Sequence, residues 1–465
     1  MKPRTISELR KAGYEPMPVK AEMERNLIRA MEAGEELFPG IVGYDFTVIP
    51  QVVNAILSHH DMVFLGEKGQ AKTRMMRAMS RFLDEKIPVI AGCEINDNPY
   101  DPICLSCRRK LEEHGDIVEI SWLDRSQRYA ERLSPGTKIA DLIGDLDPAK
   151  VAGGAPLASE DALHFGLIPR MNRGVFAINE LPDLEYLIQV SLFNILEERD
   201  IQIRGYPIRF PMDVMLVFSA NPEEYSRSGK IITQLKDRIG AEIRTHYPST
   251  REAGLRIVDQ EAKVDVGRGF TLQAPGFMRD IVEQITIEAR KSSHVNQKSG
   301  VSARLSITNY ETLIANARRR AITLKEPLVV PRISDLGYLH TSSQGKIELD
   351  PFREESISET QVVGRIIEKA VRVVFTERMG NVNMDALVDS IKGDVNIETG
   401  DMIPSAEYRN IVSRLPQLWE PVNGLGGDRS DQERASCVEF VLEGLYLTGR
   451  LNRKMIGEMA TYRGK

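Results

Sequence analysis

The sequence predicts an α/β fold over its first half, a parallel sheet covered by helices, followed by a mostly helical second half. Three observations predict this. Short unbroken apolar runs, MVFLG (62–66), GVFAINEL (174–181) and VMLVFSAN (214–221), read as strands buried on both faces. Helical patterns at Lys72–Leu83 and Leu184–Glu198 alternate with them. From about Thr250 helical periodicity takes over, in Arg251–Glu261, Pro275–Lys291 and Ile307–Leu324.

In chain order, residues 1–37 read as a polar lead-in with one helix, roughly Lys20–Ala33, ended by Gly34. The α/β domain is expected over 38–248 and a helical domain over 249–350. Residues 351–465 read as a helical extension, with helices in 361–392 and 430–460 and a Gly/Pro/Asn-rich break near 415–428. A chain of 465 residues is too long for one ordinary domain.

Composition excludes several classes. With 42% hydrophobic and 28% charged residues the chain is globular rather than disordered. A net charge of -6 argues against a dedicated nucleic-acid binder. No apolar run reaches the roughly 18 residues that a membrane-spanning helix needs. The start, MKPRTISELRKAGYEPMPVK, is basic but lacks the apolar core of a secretory signal. Four cysteines, Cys93, Cys104, Cys107 and Cys437, form no disulfide framework, so a cytoplasmic location is expected.

GEKGQAKT (Gly66, Glu67, Lys68, Gly69, Gln70, Ala71, Lys72, Thr73) follows a predicted strand and opens a predicted helix. Backbone N–H groups at such a helix start point at phosphate oxygens, and the helix dipole favours their charge. Lys72 is placed to reach the β- and γ-phosphates of ATP, and the Thr73 hydroxyl to ligate Mg²⁺. Ala71 replaces the second Gly of the usual pattern, which is expected to fit with a negative φ. An ordinary strand–turn–helix with a surface Lys is the alternative.

GVFAINEL ends in Asn179–Glu180. A loop-bound nucleotide needs an acidic strand end, one group holding Mg²⁺ waters and a second orienting the attacking water. Glu180 fits the second role. Asn179 stands where an Asp is expected and brings no charge. VMLVFSAN delivers Asn221 at a third strand end, and ligands of parallel sheets bind beyond the carboxyl ends of their strands.

These segments resemble AAA+ ATPases of the magnesium-chelatase ATPase-subunit and MoxR group. FPGIVGYDFTV resembles the opening segment that packs on adenine, which implies that role for Ile41, Val42 and Gly43. LIGDLDPAKV and FGLIPRMNRGVFAINEL resemble the insertion and strand approach of the chelatase subunit, and LFNILEERDIQIRGYPIRFP the helix and hairpin that follow. SANPEE resembles the sensor-1 strand, with Asn221 as the sensor. LKDRIGAEI resembles the segment bearing the arginine finger, which implies that role for Arg238. SGVSARLS resembles the start of the sensor-2 helix, which implies Arg304. Without the resemblance, Arg238 reads as a salt-bridge partner of Asp237 or Glu242.

The resemblance implies an AAA+ P-loop core followed by a helical lid, ATP hydrolysis with Mg²⁺, and a homo-oligomeric ring of six with Arg238 reaching a neighbour's nucleotide. It also implies a chaperone-like action on a separate partner carrying a von Willebrand factor A (VWA) domain. Asn179 implies slow turnover, and a weakly hydrolysing scaffold is a second reading. A sigma-54-type activator shares the core but needs a GAFTGA loop, which the sequence lacks.

Cys93, Cys104, Cys107 and His114 lie on one connection. The C-x-x-C spacing suits a zinc knuckle with three thiolates and one imidazole. Reduced, partly buried thiols beside a surface His are the alternative. Cys437 reads as core.

Overall fold

The computed structural model describes residues 2–132, 138–156, 159–203, 209–227, 230–296, 300–350, 357–392, 395–457 and 459–465. Residues 204–208 of the expected hairpin, Ser299, and 351–356 at the start of the expected extension lie outside them. The chain divides into two compact units, Met1–His246 and Tyr247–Lys465.

The first unit is built on a five-stranded sheet, a separate strand pair and flanking helices. In chain order these are α1 (Val19–Glu32), α2 (Val48–Leu57), β1 (Met62–Leu65), α3 (Lys72–Ala78), β2 (Lys86–Ile90), α4 (Leu105–His114), β3 (Ile120–Asp124), β4 (Tyr129–Arg132), β5 (Gly174–Ile178), α5 (Tyr186–Glu197), β6 (Val214–Ala220), α6 (Thr233–Arg238) and β7 (Ala241–Arg244). The central sheet runs β7-β1-β6-β5-β4, and every pairing in it is parallel. β2 and β3 form a separate antiparallel pair.

The apolar runs are unbroken because both sheet faces are covered. Met62, Phe64, Val175, Ala177, Met215 and Val217 pack on one side with α1, α2 and α3. Val63, Leu65, Phe176, Ile178, Leu216 and Phe218 pack on the other with Ile188, Leu192 and Ile195 of α5. The stretch expected as a polar lead-in is instead core: Val19, Met23 and Leu27 of α1 are fully buried. Its Glu22 takes a bidentate bond from the buried Arg128, at 2.6 and 2.7 Å. Removing one partner of such a buried pair costs roughly 3–5 kcal/mol.

The second unit contains α7 (Gly276–Lys291), α8 (Arg304–Leu324), α9 (Glu359–Met379), β8 (Ile397–Gly400), α10 (Asp431–Leu447), β9 (Asn452–Ile456) and β10 (Met459–Arg463). One apolar core joins Phe277 and Ile281 of α7, Leu305 and Leu313 of α8, Val363 and Val374 of α9, and Phe440 and Val441 of α10. No break in this core follows the expected boundary at 350. The segment 430–460, expected as helix, turns at Gly449 (φ +75°) into the β9–β10 hairpin, which pairs with β8. Among the described residues no helix is long and apolar enough to cross a membrane.

Candidate nucleotide site

Parallel pairing brings three strand ends to one edge of the first unit. Leu65 of β1 lies level with Ala220 of β6, and Phe218 of β6 level with Ile178 of β5. The residues that follow, Gly66, Asn221 and Asn179–Glu180, therefore emerge side by side at the carboxyl edge.

The loop leaves β1 at Gly66, whose N–H donates to Ala220 O at 3.2 Å. A Cβ at Gly66 would lie 1.8 Å from Thr245 Oγ1 and 2.2 Å from Gln70 Oε1, so only glycine fits there. Gln70 Oε1 accepts from the Glu67 N–H at 3.0 Å and from Thr245 Oγ1 at 2.8 Å. Tyr44 Oη lies 2.7 Å from Gln70 O and 3.0 Å from His246 O. Burial pushes its hydroxyl up to about 12, so it stays a donor at neutral pH. Gly69 turns with φ +77°. Ala71 was expected to have a negative φ, but it adopts +55°, the left-handed region. That costs an L-residue roughly 1–2 kcal/mol. The small, exposed methyl group is the side chain that least obstructs such a turn.

Lys72 opens α3 and is buried. Its Nζ donates to Gly66 O, to Glu67 O at 3.2 Å and to Asn221 Oδ1 at 3.4 Å. Burial lowers its pKa, against the opposing charges of Glu180, Glu67 and Glu224. A phosphate would supply the negative charge that burial withholds. The exposed Lys68 and Gly69 complete the loop.

Thr73 Oγ1 donates to Asn179 Oδ1 at 3.2 Å. Ser219 Oγ donates to the same oxygen at 3.0 Å and accepts from the Glu180 N–H at 3.3 Å. Asn179 is buried and its Nδ2 has no partner. The orphaned group is an N–H donor, which an acceptor such as a phosphate oxygen would satisfy. Glu180 sits at φ +54°, a strained conformation of the kind concentrated at functional sites. Burial raises its pKa; Lys72 opposes the shift, while Asp183 and Glu224 add to it. Their carboxylates lie within 4.8 Å of Glu180's.

The remaining expected residues belong to other segments of the chain. Ile41 is buried, while Val42 and Gly43 are half-buried, Gly43 turning at φ +81° just before Tyr44. Arg238 ends α6, paired with Glu197 and, at 3.5 Å, with Asp237, its guanidinium 4.2 Å over the Phe193 ring. Glu242, the other partner considered for it, accepts from Tyr225 Oη at 2.7 Å instead. Arg304 is exposed at the first residue of α8, in the second unit. Cys93, Cys104 and Cys107 converge, but His114 does not join them. It lies at the far end of α4, 3.9 Å from Glu113. Asp97 occupies the fourth position.

Ser219, Thr245 and Tyr44 were not singled out in the sequence. Ser219 is one polar residue in an otherwise apolar strand, which is the signal that could have found it.

No protein-family model matches the sequence. The chain is 30% identical over 178 residues to an archaeal Lon protease of Thermococcus kodakarensis, a match covering 34% of this chain and 26% of that protein. A Lon protease of Pyrococcus abyssi is 29% identical over 213 residues, 39% of this chain and 20% of that protein. The chain thus spans about a quarter or less of the length of these curated relatives. Among solved structures, the complex between subunits BchI and BchD of magnesium chelatase is 19% identical, covering 71% of this chain and 98% of that one, with a TM-score of 0.36. NtrX from Brucella abortus is 13% identical, covering 83% of this chain and 72% of that one, with a TM-score of 0.39.

The parallel sheet between helices, with the glycine loop joining β1 to α3 at its carboxyl edge, gives the first unit a mixed α/β fold.

Proposed function

We propose that the chain is an ATPase of the magnesium-chelatase/MoxR kind, which works as a homo-oligomeric ring of six and uses ATP to remodel or activate a separate VWA-domain protein. The observation that carries this reading is the convergence of Lys72, Thr73, Asn179, Glu180 and Asn221 from three strand ends, with Lys72 in reach of Asn221 and Thr73 of Asn179.

In this reading the N–H groups of Gly69–Thr73 and Lys72 Nζ bind the ATP phosphates. Thr73 and Asn179 face Mg²⁺, which when bound neutralises charge on the phosphates. Glu180 orients the attacking water, and its raised pKa suits a carboxylate that receives a proton. Asn221 holds the γ-phosphate end. Arg238 exchanges Glu197 for a neighbouring subunit's nucleotide, a contribution worth roughly 10³–10⁵-fold in rate for arginine fingers. Arg304 acts as the second sensor.

The lack of charge on Asn179 supports a second reading, a nucleotide-dependent scaffold with slow turnover.

Lys72→Ala tests the site. ATP affinity, measured with a fluorescent analogue, should fall below detection because the loop loses its buried cation. Unchanged affinity would refute the assignment.

A further inference from the structure

We propose that Cys93, Asp97, Cys104 and Cys107 form a tetrahedral zinc site that pins the connection after β2 to the start of α4. The inference is independent of the nucleotide site.

The four ligand atoms all lie within 4.8 Å of one another. Tetrahedral zinc with bonds of about 2.3 Å to sulfur sets its sulfurs roughly 3.8 Å apart, so small side-chain movements close the set. Asp97 and Cys107 are fully buried, Cys104 nearly so, and Cys93 is half-buried.

Backbone geometry already serves anionic ligands. Cys104 caps α4, its Sγ accepting from the Cys107 N–H at 3.3 Å. A helix N-terminus favours thiolate over thiol. Cys93 Sγ accepts from the Asp97 N–H at 3.3 Å. Asn96 takes φ +56°, a conformation asparagine tolerates, and so folds Asp97 back towards Cys93. Asp97 Oδ2 accepts from the Cys104 N–H at 3.1 Å, while Oδ1 is buried with no partner. Leaving a buried acceptor unmade is unfavourable, and more so for a charged one. A dication among three sulfurs satisfies that oxygen. Sulfur-rich tetrahedral donors select zinc over magnesium or calcium, which take oxygen ligands.

The connection needs such a clasp. Residues 91–104 contain no helix or strand beyond the Asn98–Asp101 bridge. Zinc would tie its two ends, Cys93 and Cys104, together.

The full chain, purified without added metal, should contain about one zinc. His114→Ala should keep it. Asp97→Ala and Cys104→Ser should each weaken zinc retention at least about tenfold against a chromogenic chelator. Cobalt exchange into the wild-type chain tests geometry without any variant, since tetrahedral thiolate ligation gives intense visible bands and a sulfur-to-cobalt charge-transfer band. Any of four results would overturn the site: no zinc, an octahedral cobalt spectrum, a disulfide among these cysteines in the purified protein, or zinc lost from His114→Ala but kept by Asp97→Ala.

Discussion

Thr73 and Ser219 both donate to a single atom, Asn179 Oδ1, at 3.2 and 3.0 Å, which ties the start of α3 to the ends of β5 and β6. The other end of the same amide, Nδ2, has no partner. A carboxylate would serve both hydroxyls and remove the orphaned donor. Asn179→Asp should therefore lower the Mg²⁺ concentration needed for ATP turnover and raise the rate a few-fold. Turnover titrated with Mg²⁺ checks this, and an unchanged midpoint counts against a metal-facing role.

Glu180→Gln should bind ATP as the parent does and hydrolyse it at least about tenfold more slowly, having lost the water-orienting carboxylate. In the parent chain, activity should fall as the medium is acidified through the pKa of Glu180. Because burial raises that pKa, the loss should begin above the ordinary carboxylate range. Wild-type turnover in Glu180→Gln would remove the residue from the mechanism.

Arg238 is held within its own chain by Glu197 and Asp237, so the shared-site reading requires it to change partners. Arg238→Ala should bind ATP yet hydrolyse it poorly. Mixed in equal amounts with Glu180→Gln chains, it should recover part of the lost activity, since some interfaces then pair an intact Glu180 with an intact Arg238. Specific activity should also rise with protein concentration. Concentration-independent turnover by a monomer, with no recovery in the mixture, would leave Arg238 a structural residue.

Glu283 on α7 gives a prediction about stability. It is 2% exposed, and burial pushes its carboxyl up to about 7, although Ser306, Arg290 and Arg251 pull it down. In the unfolded chain a Glu ionises near about 4.3. Between those values the native state binds more protons than the unfolded one, so stability falls as pH rises through the window and levels off above it. Glu283→Gln should flatten that slope and stabilise the second unit at pH 8 by up to about 4 kcal/mol. Urea unfolding at pH 5 and pH 8 measures it; equal slopes for both chains would exclude Glu283 as the source.

The glycine loop and the strand ends were legible because they are local: an apolar run stops at a polar residue, and a parallel sheet aligns such stops. What the sequence hid depends on contacts across the fold. Ala71 takes a positive φ because the turn into α3 demands it, a demand no single residue announces. Ser219 and Thr245 matter through partners 40 and 175 positions away. The C-x-x-C spacing and the need for a fourth ligand group His114 with the cysteines, and neither announces a helix between them. As α4 that stretch carries His114 two turns beyond Cys107, roughly 10 Å along the axis, out of ligand range. Asp97 carries no spacing signature, and only the fold brings it to the sulfurs. In the C-terminal stretch, the apolar pattern of α10 was read through the Gly449 turn into what is a hairpin.

The single core of the second unit has a mechanical consequence. Leu305, next to Arg304, packs in the same apolar cluster as Val374, Phe440 and Tyr462. Close-packed interiors transmit displacement rather than absorb it. Leu305 shares that core with Tyr462 of β10, so a change of volume at one is felt in the packing around the other.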